Sequence, residues 1–248
     1  MKYILFFFLS VFLLIGDTII QNKESYAGLW PVNVNKDEIR FKSKTNNFEC
    51  PNGIGCECFS NNECYNNNCK KHFRGKYCTL QEGDIFPEFV AIDQFGEYVN
   101  IYDFANKENK YILLEMGAVW CGPCNTLAAL FAYGEEEIFD KSFWKDEYLK
   151  IYDMVKNDEV YFITVLYEDE FRDTATEETV YEWYSTYPDD LIPVLADEDK
   201  LLHRIIKPTG IPAVTLISPN MEVVNISNRG FNGSFDKLLN IIEESKNE

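Results

Sequence analysis

The chain has 248 residues, of which 26% are charged and 46% are hydrophobic, and its formal net charge at pH 7 is −18. The length allows one domain of medium size together with a smaller one. A chain this negative repels a phosphate backbone, so nucleic acid is excluded as an expected partner. Solubility accounts for the acidity without a specific cationic substrate.

The first 20 residues contain an apolar run from Tyr3 to Ile15 after a single lysine. This run is short for a membrane span and typical of the hydrophobic part of a signal peptide, with an uncleaved anchor as the alternative. Either alternative predicts an extracytoplasmic protein, which is secreted, periplasmic, or anchored to a membrane and facing outward. Residues 21–49 are predicted to form a linker, in which AGLWPV (27–32) is a candidate for a short ordered piece.

Residues 50–78 are rich in Cys and Asn and have too few apolar residues for a core of their own. An even number of cysteines in an exported chain predicts three structural disulfides, and fifteen pairings are possible. Zinc is disfavoured by export and by the single histidine, His72. The module either docks a partner or only stabilises the N-terminal region. Its cysteines are Cys50, Cys56, Cys58, Cys64, Cys69 and Cys78.

In residues 79–248, strand patterns alternate with helix patterns, which predicts an α/β layer fold. The apolar runs 111–116 and 160–169 are typical of buried strands. Residues 121–133 are predicted to form a helix that breaks near Gly134, with more helix over 135–157. Further predictions are a helix at 175–188, a strand at 192–197, a helical turn at 199–210, a hairpin at 213–227 and a last helix at 234–245 capped by Ser234.

Cys121 and Cys124 form a Cys-x-x-Cys motif directly after a predicted strand and at the start of a predicted helix. A zinc site is disfavoured, because no second pair of Cys or His ligands lies at a suitable spacing. A purely structural disulfide is disfavoured, because the free N–H groups and the dipole at a helix N-terminus stabilise a thiolate. The motif therefore predicts a redox-active disulfide that works without a bound cofactor or metal.

The segment EMGAVWCGPC (115–124) resembles the active site of thioredoxin-fold oxidoreductases. The segments GDIFPEFVAIDQFGEYVNIYDF (83–104) and IPVLADEDKLLHRIIKPTGIPAVTLISPNMEVV (192–224) resemble the TlpA-like redoxin branch, which is related to the peroxiredoxins. The resemblance covers about residues 82–245 and implies the thioredoxin fold, in which helices flank a central mixed sheet. The module at 50–78 resembles EGF-like or dickkopf-like cysteine-rich modules.

The resemblance also implies a role for each residue of the motif. Cys121 would be the exposed nucleophile and Cys124 the buried resolving thiol. Pro212 would be a cis-proline that faces the disulfide, and Ile211 would offer backbone hydrogen-bonding groups to an extended substrate. Trp120 would flank the site.

Glu115 interrupts an apolar strand six residues before Cys121. A buried carboxylate costs several kcal/mol unless it is paired or protonated. The family that the chain resembles places an acidic residue here, which implies that Glu115 has a raised pKa and accepts the proton of Cys124. The alternative is a residue at the rim of the strand that pairs with a lysine.

The sequence departs from the family pattern in two places. Met-Gly at 116–117 replaces a bulky aromatic pair, and an acidic insert lies at about 134–144. Direct peroxidase activity is disfavoured, because the positions that hold Thr or Ser and Pro in peroxidatic sites are Ala118 and Leu114.

Together these features predict an exported thiol–disulfide oxidoreductase. Its partners would be protein thiols or disulfides and an electron donor or acceptor, and the direction of electron flow is open. The alternative is an extracellular binding or adhesion protein, in which the cysteine-rich module recognises a partner and the redoxin domain is a scaffold.

Overall fold

A computed structural model describes residues 25–32, 50–72, 75–105 and 108–246. The predicted signal segment and most of the predicted linker lie outside these ranges. Within the ranges, no helix combines the length and the apolarity that a membrane crossing needs.

Five strands in the described part of the chain form one mixed sheet. Their order across the sheet is β7 (Val194–Ala196), β6 (Tyr161–Leu166), β5 (Ile112–Gly117), β8 (Ala213–Ile217) and β9 (Val223–Ile226). Every residue of β5 and of β6 is buried, as expected for strands covered on both faces. The central strand β5 runs parallel to β6 and antiparallel to β8. Two hairpins lie outside this sheet. One joins β1 (Cys69–His72) to β2 (Gly75–Cys78), and the other joins β3 (Val90–Ile92) to β4 (Tyr98–Asn100).

Helices cover both faces of the sheet. The helices are α1 (Gly122–Tyr133), α2 (Leu149–Lys156), α3 (Glu177–Thr186), α4 (Leu201–Ile206) and α5 (Asn232–Ser245). One core cluster joins the strands to α1, α2 and α5, and the other joins them to α3, α4 and the β3–β4 hairpin. This arrangement, with the Cys-x-x-Cys helix directly after the central strand, confirms the predicted α/β class and thioredoxin fold.

Helix α1 ends at Gly134, as predicted, because the φ of +70° at this glycine stops the helix.

Two other predictions about helices are wrong. The next helix is confined to α2. The acidic insert forms a short 3-10 turn at Glu136–Asp140, because its aromatic side chains pack against the core, and a second 3-10 turn at Asp146–Tyr148 leads into α2. Ser234 does not cap α5: the helix begins at Asn232, and the buried Ser234 hydroxyl donates to the Val214 carbonyl at 2.6 Å.

The six cysteines of the N-terminal module form three disulfides, which selects one of the fifteen pairings. Two of the bridges attach the hairpin of β1 and β2, because Cys69 begins β1 and Cys78 ends β2. The pairs are Cys50–Cys56, Cys58–Cys69 and Cys64–Cys78.

The module shares its core with the larger domain. Ile54 is only 2% exposed and belongs to the same apolar cluster as Leu202 and Ile205 of α4. The Lys207 ammonium donates to the Lys70 carbonyl of the module at 3.1 Å, and just after the module the Leu80 N–H donates to the Ile205 carbonyl at 3.3 Å. Covalent bridges therefore order the module, while apolar packing fixes it on α4.

A second N-terminal contact comes from the short ordered piece at 25–32. The Trp30 indole N–H donates to Asp93 at 3.0 Å, and the Tyr26 hydroxyl donates to Asp103 at 2.5 Å. Both aromatic side chains are buried against the β3–β4 side of the domain. These residues therefore cover a part of the core that would otherwise face solvent.

Replacing Ile54 by Ala should lower the free energy of unfolding by about 2 to 5 kcal/mol, because it leaves a cavity where the module meets α4. Denaturant unfolding of the full chain with its disulfides intact measures this change. Phe59→Ala is the matched control within the module, since Phe59 is 85% exposed and its loss should change stability by less than about 0.5 kcal/mol. Equal stability of both variants and the wild type would contradict the shared core.

Candidate active site

Cys121 and Cys124 are joined by a disulfide at the start of α1. Cys121 is the N-cap residue with extended backbone, and its sulfur accepts a hydrogen bond from the Cys124 N–H at 3.2 Å. Pro123 lies in the first turn, where the helix has no partner for its missing N–H. The motif thus stands beyond the carboxyl end of β5, at the edge where α/β sheets commonly bind ligands.

The expected exposure of Cys121 is wrong for the oxidised protein. Cys121 is 2% exposed and Cys124 is fully buried. The reason is that the disulfide belongs to the larger core cluster, and the half-buried side chains of Trp120 and Ile211 pack against that cluster. The edge of the site is therefore formed by Trp120 and Ile211 rather than by a freely exposed sulfur.

Pro212 lies beside the motif, and the Ile211–Pro212 peptide bond is cis. The Pro212 carbonyl accepts a hydrogen bond from the Gly230 N–H at 2.6 Å, which ties this loop to the start of α5. Pro123, Ile211 and Pro212 line one groove of about 220 Å³. The structure therefore brings the Cys-x-x-Cys turn and the cis-proline loop together.

Trp120 is held by a chain of polar contacts that sequence reasoning missed. Its indole N–H donates to Glu168 at 2.9 Å, and Glu168 also accepts from Lys200 at 2.7 Å. The Arg172 guanidinium lies over the indole ring, 4.1 Å from its centroid. These partners are 48 to 80 residues from Trp120 in the chain, so no local pattern could have indicated them.

Asn125 fixes the turn that carries Cys121 and was also missed. Its side-chain amide donates to the Val119 carbonyl at 2.9 Å and to the Cys121 carbonyl at 2.8 Å. Its own oxygen accepts from the Tyr187 hydroxyl at 2.9 Å, which links the turn to the end of α3. The position next to Cys124 was the only available signal.

Glu115 lies on β5 and is 2% exposed. Its Oε2 accepts a hydrogen bond from the Thr164 hydroxyl at 3.0 Å, and its Oε1 has no hydrogen-bond partner. Burial raises the pKa of Glu115 to about 7, against a smaller lowering by the Thr164 hydrogen bond. The alternative of a rim residue paired with a lysine is wrong, because no such ion pair exists among the described residues.

Gly117 separates Glu115 from the disulfide. A Cβ added at Gly117 would lie 3.5 Å from the Cys124 sulfur and 3.7 Å from Glu115 Oε1. The unpartnered carboxyl oxygen and the sulfur therefore face one position that holds no side chain. Glu115 and Thr164 also line a cavity of about 20 Å³, which is large enough for one water molecule.

No protein-family model and no curated protein matches this chain. Several solved structures are similar to this chain. The thioredoxin domain of a thiol-disulfide oxidoreductase from Bacteroides vulgatus is 21% identical, with 67% of this chain and 98% of that chain covered and a TM-score of 0.42. An exposed lipoprotein thioredoxin from Streptococcus pneumoniae is 20% identical, with 63% and 98% covered and a TM-score of 0.42. A 2-Cys peroxiredoxin from Plasmodium vivax is 16% identical, with 68% and 100% covered and a TM-score of 0.44.

Glu115 should make the oxidised protein less stable as pH rises from about 4.5 to 7. Its pKa rises from the ordinary value of 4.5 to about 7 on folding, so the folded state binds a proton that the unfolded state has lost in this window. Below pH 4.5 the carboxyl is protonated in both states, so its titration does not reduce the free energy of unfolding. As pH rises to roughly 7, the unfolded state releases this proton before the folded state does, and the free energy of unfolding falls. Glu115→Gln should therefore gain about 3 kcal/mol relative to the wild type across the window.

Denaturant unfolding of the oxidised full chain from pH 4 to 8 measures this difference. Glu198→Gln, which removes an exposed carboxylate, is the matched control and should leave the difference between variant and wild type nearly flat. Parallel pH profiles for Glu115→Gln and the wild type would contradict the raised pKa.

Proposed function

We propose that this chain is an exported thiol–disulfide oxidoreductase that exchanges the Cys121–Cys124 pair with protein thiols or disulfides and needs no bound cofactor. The observation that carries the proposal is the approach of the buried Glu115 carboxyl to the Cys124 sulfur across Gly117. A carboxyl with a pKa of about 7 accepts and returns a proton near neutral pH. A disulfide with a purely structural role does not need a proton acceptor beside it, and burying the Glu115 carboxyl lowers the stability of the folded protein.

In the reducing direction, the Cys121 thiolate attacks one sulfur of a client disulfide. A bond forms between Cys121 and that sulfur, and the other client sulfur leaves as a thiolate. Cys124 then gives its proton to Glu115 and attacks the Cys121 sulfur, which restores the Cys121–Cys124 disulfide and releases the second client sulfur as a thiolate. Two electrons pass from the dithiol to the client, and the reverse sequence oxidises a client dithiol.

Each cysteine has its role because of where it lies on α1. Cys121 is the N-cap residue, so the first free N–H groups and the helix dipole favour its thiolate over its thiol. Cys124 lies one turn inside the helix, is fully buried and faces Glu115, so it needs a local base before it can attack. The roles of attacking and resolving sulfur follow from this asymmetry.

The remaining disulfides support an oxidising location for the protein. All eight cysteines are paired, and six of them bridge the small N-terminal module. Disulfides of this kind persist in secreted, periplasmic and cell-surface proteins. The upstream donor or acceptor sets the direction of electron flow, and its chemistry is that of another dithiol or disulfide. The alternative of a binding protein with a redoxin scaffold stays a prediction.

Trapping of the mixed disulfide tests the assigned roles. The full chain with Cys124→Ser, mixed with a disulfide-bonded peptide, should accumulate a covalent adduct at Cys121. Cys121→Ser should form its adduct at least about tenfold more slowly at pH 7, because the thiol of Cys124 lacks the N-cap position. Adduct formation at equal rates in the two variants, followed by mass spectrometry, would contradict the assignment.

The pH dependence of exchange tests the proton transfer. Glu115→Gln should slow release from the mixed disulfide by on the order of 100-fold near pH 7 and remove the inflection that the wild type shows there. Thr215→Val is the matched control, since Thr215 is buried on the adjacent strand β8 and its hydroxyl has no hydrogen-bond partner. An inflection near pH 7 that survives in Glu115→Gln would exclude Glu115 as the proton acceptor.

A further inference from the structure

The groove beside the cis-proline is lined mainly by apolar side chains. Its apolar lining residues are Pro123, Phe143, Ile211, Pro212 and Phe231. The volume of about 220 Å³ is below the range of roughly 300 to 1,000 Å³ that small-molecule sites occupy. The groove is therefore suited to one side chain of a polypeptide that extends across the site.

Phe143 comes from the acidic insert and is held in place by α5. The Asn232 amide donates to the Phe143 carbonyl at 2.6 Å and to the Tyr148 hydroxyl at 2.9 Å. The ring of Phe143 packs edge-on against Phe231, with 5.7 Å between the ring centroids. The insert thus adds a fixed aromatic wall to the groove.

Arg229 supplies the charged end of the same groove. Its side chain lies against the backbone of Gly210, where an added Cβ would be 3.0 Å from Arg229 Cγ and Cδ and 3.1 Å from Nε. Among the described residues, no carboxylate lies within 4.0 Å of the Arg229 guanidinium, whereas Lys156 and Lys200 each pair with one. An unpaired guanidinium in so acidic a chain is available to an anionic partner.

Arg172 provides a second guanidinium beside the site, over the ring of Trp120. It is exposed and stacks on Trp120, and no ion pair joins it to a carboxylate of the described residues. The sequence contains five arginines, and two of them flank the Cys-x-x-Cys site. A segment that crosses the disulfide past Trp120 therefore meets a guanidinium there as well as in the groove.

We propose that the clients of this site are extended polypeptide segments with an Asp or Glu side chain near the reactive cysteine, and that Arg229 selects them. The client carboxylate would form a bidentate pair with the guanidinium, while its aliphatic stem packs against Phe143 and Ile211. The Arg172 guanidinium offers a second contact for a client carboxylate on the side of Trp120. This inference rests on the proposed exchange activity, because the groove has a substrate only if the disulfide reacts.

Two synthetic disulfide peptides test the selection. They differ only by Glu or Gln next to the reactive cysteine, and both are acetylated and amidated so that no chain-end carboxylate competes. The full-length wild type should react with the Glu peptide about fivefold to tenfold faster in kcat/KM, a modest ratio because Arg229 is exposed to solvent. The preference should shrink as salt is raised from about 0.01 to 1 M, since screening weakens the pair.

Arg229→Gln should bring the rates of the two peptides to within about twofold of each other, and Arg229→Lys should restore part of the preference. Lys237→Gln is the matched control, because it removes one positive charge from an exposed position on α5 outside the groove and should keep the full preference. A wild type without preference, or a preference that survives in Arg229→Gln, would overturn the inference. Failure to react with both peptides and with hydroxyethyl disulfide would instead contradict the exchange activity itself.

Discussion

The proposed chemistry depends on Glu115, a carboxyl that is buried without a charged partner. Glu115 occupies the middle of the central strand, where β5 pairs with β6 and β8, and a single hydroxyl of Thr164 satisfies one of its oxygens. Such burial costs stability, and it moves the pKa to about 7. The same strand ends at Gly117 and leads directly into the disulfide, so the cost of burial falls where a proton acceptor is useful.

The rest of the site is built by contacts that keep the motif rigid. Asn125 binds the carbonyl groups of the turn, and the pair of Glu168 and Lys200 orients Trp120. The cis-proline loop is tied to the start of α5 through Gly230. Rigid supports of this kind hold reacting groups in place at no cost during the reaction. The shared core with the cysteine-rich module extends the same support to α4.

Much of this account could be predicted from the sequence, because its causes are local. Apolar runs define the buried strands, the Cys-x-x-Cys spacing defines a helix start, and an acidic residue inside an apolar strand indicates a buried carboxyl. The failures have tertiary causes. The burial of Cys121, the 3-10 turn of the insert and the burial of Ser234 all depend on packing between distant segments. The roles of Arg172 and Arg229 depend on which acids fold near them, and no spacing encodes that.

The central claim is that the Cys121–Cys124 pair is redox-active, and its reduction potential tests this most directly. Equilibration of the full chain with thiol buffers of known potential, followed by alkylation and mass spectrometry, assigns a potential to this pair and to the module bridges separately. The account predicts a value between about −120 and −270 mV for the pair, while the module bridges stay oxidised. A value below about −300 mV, in the range of structural disulfides, would contradict it.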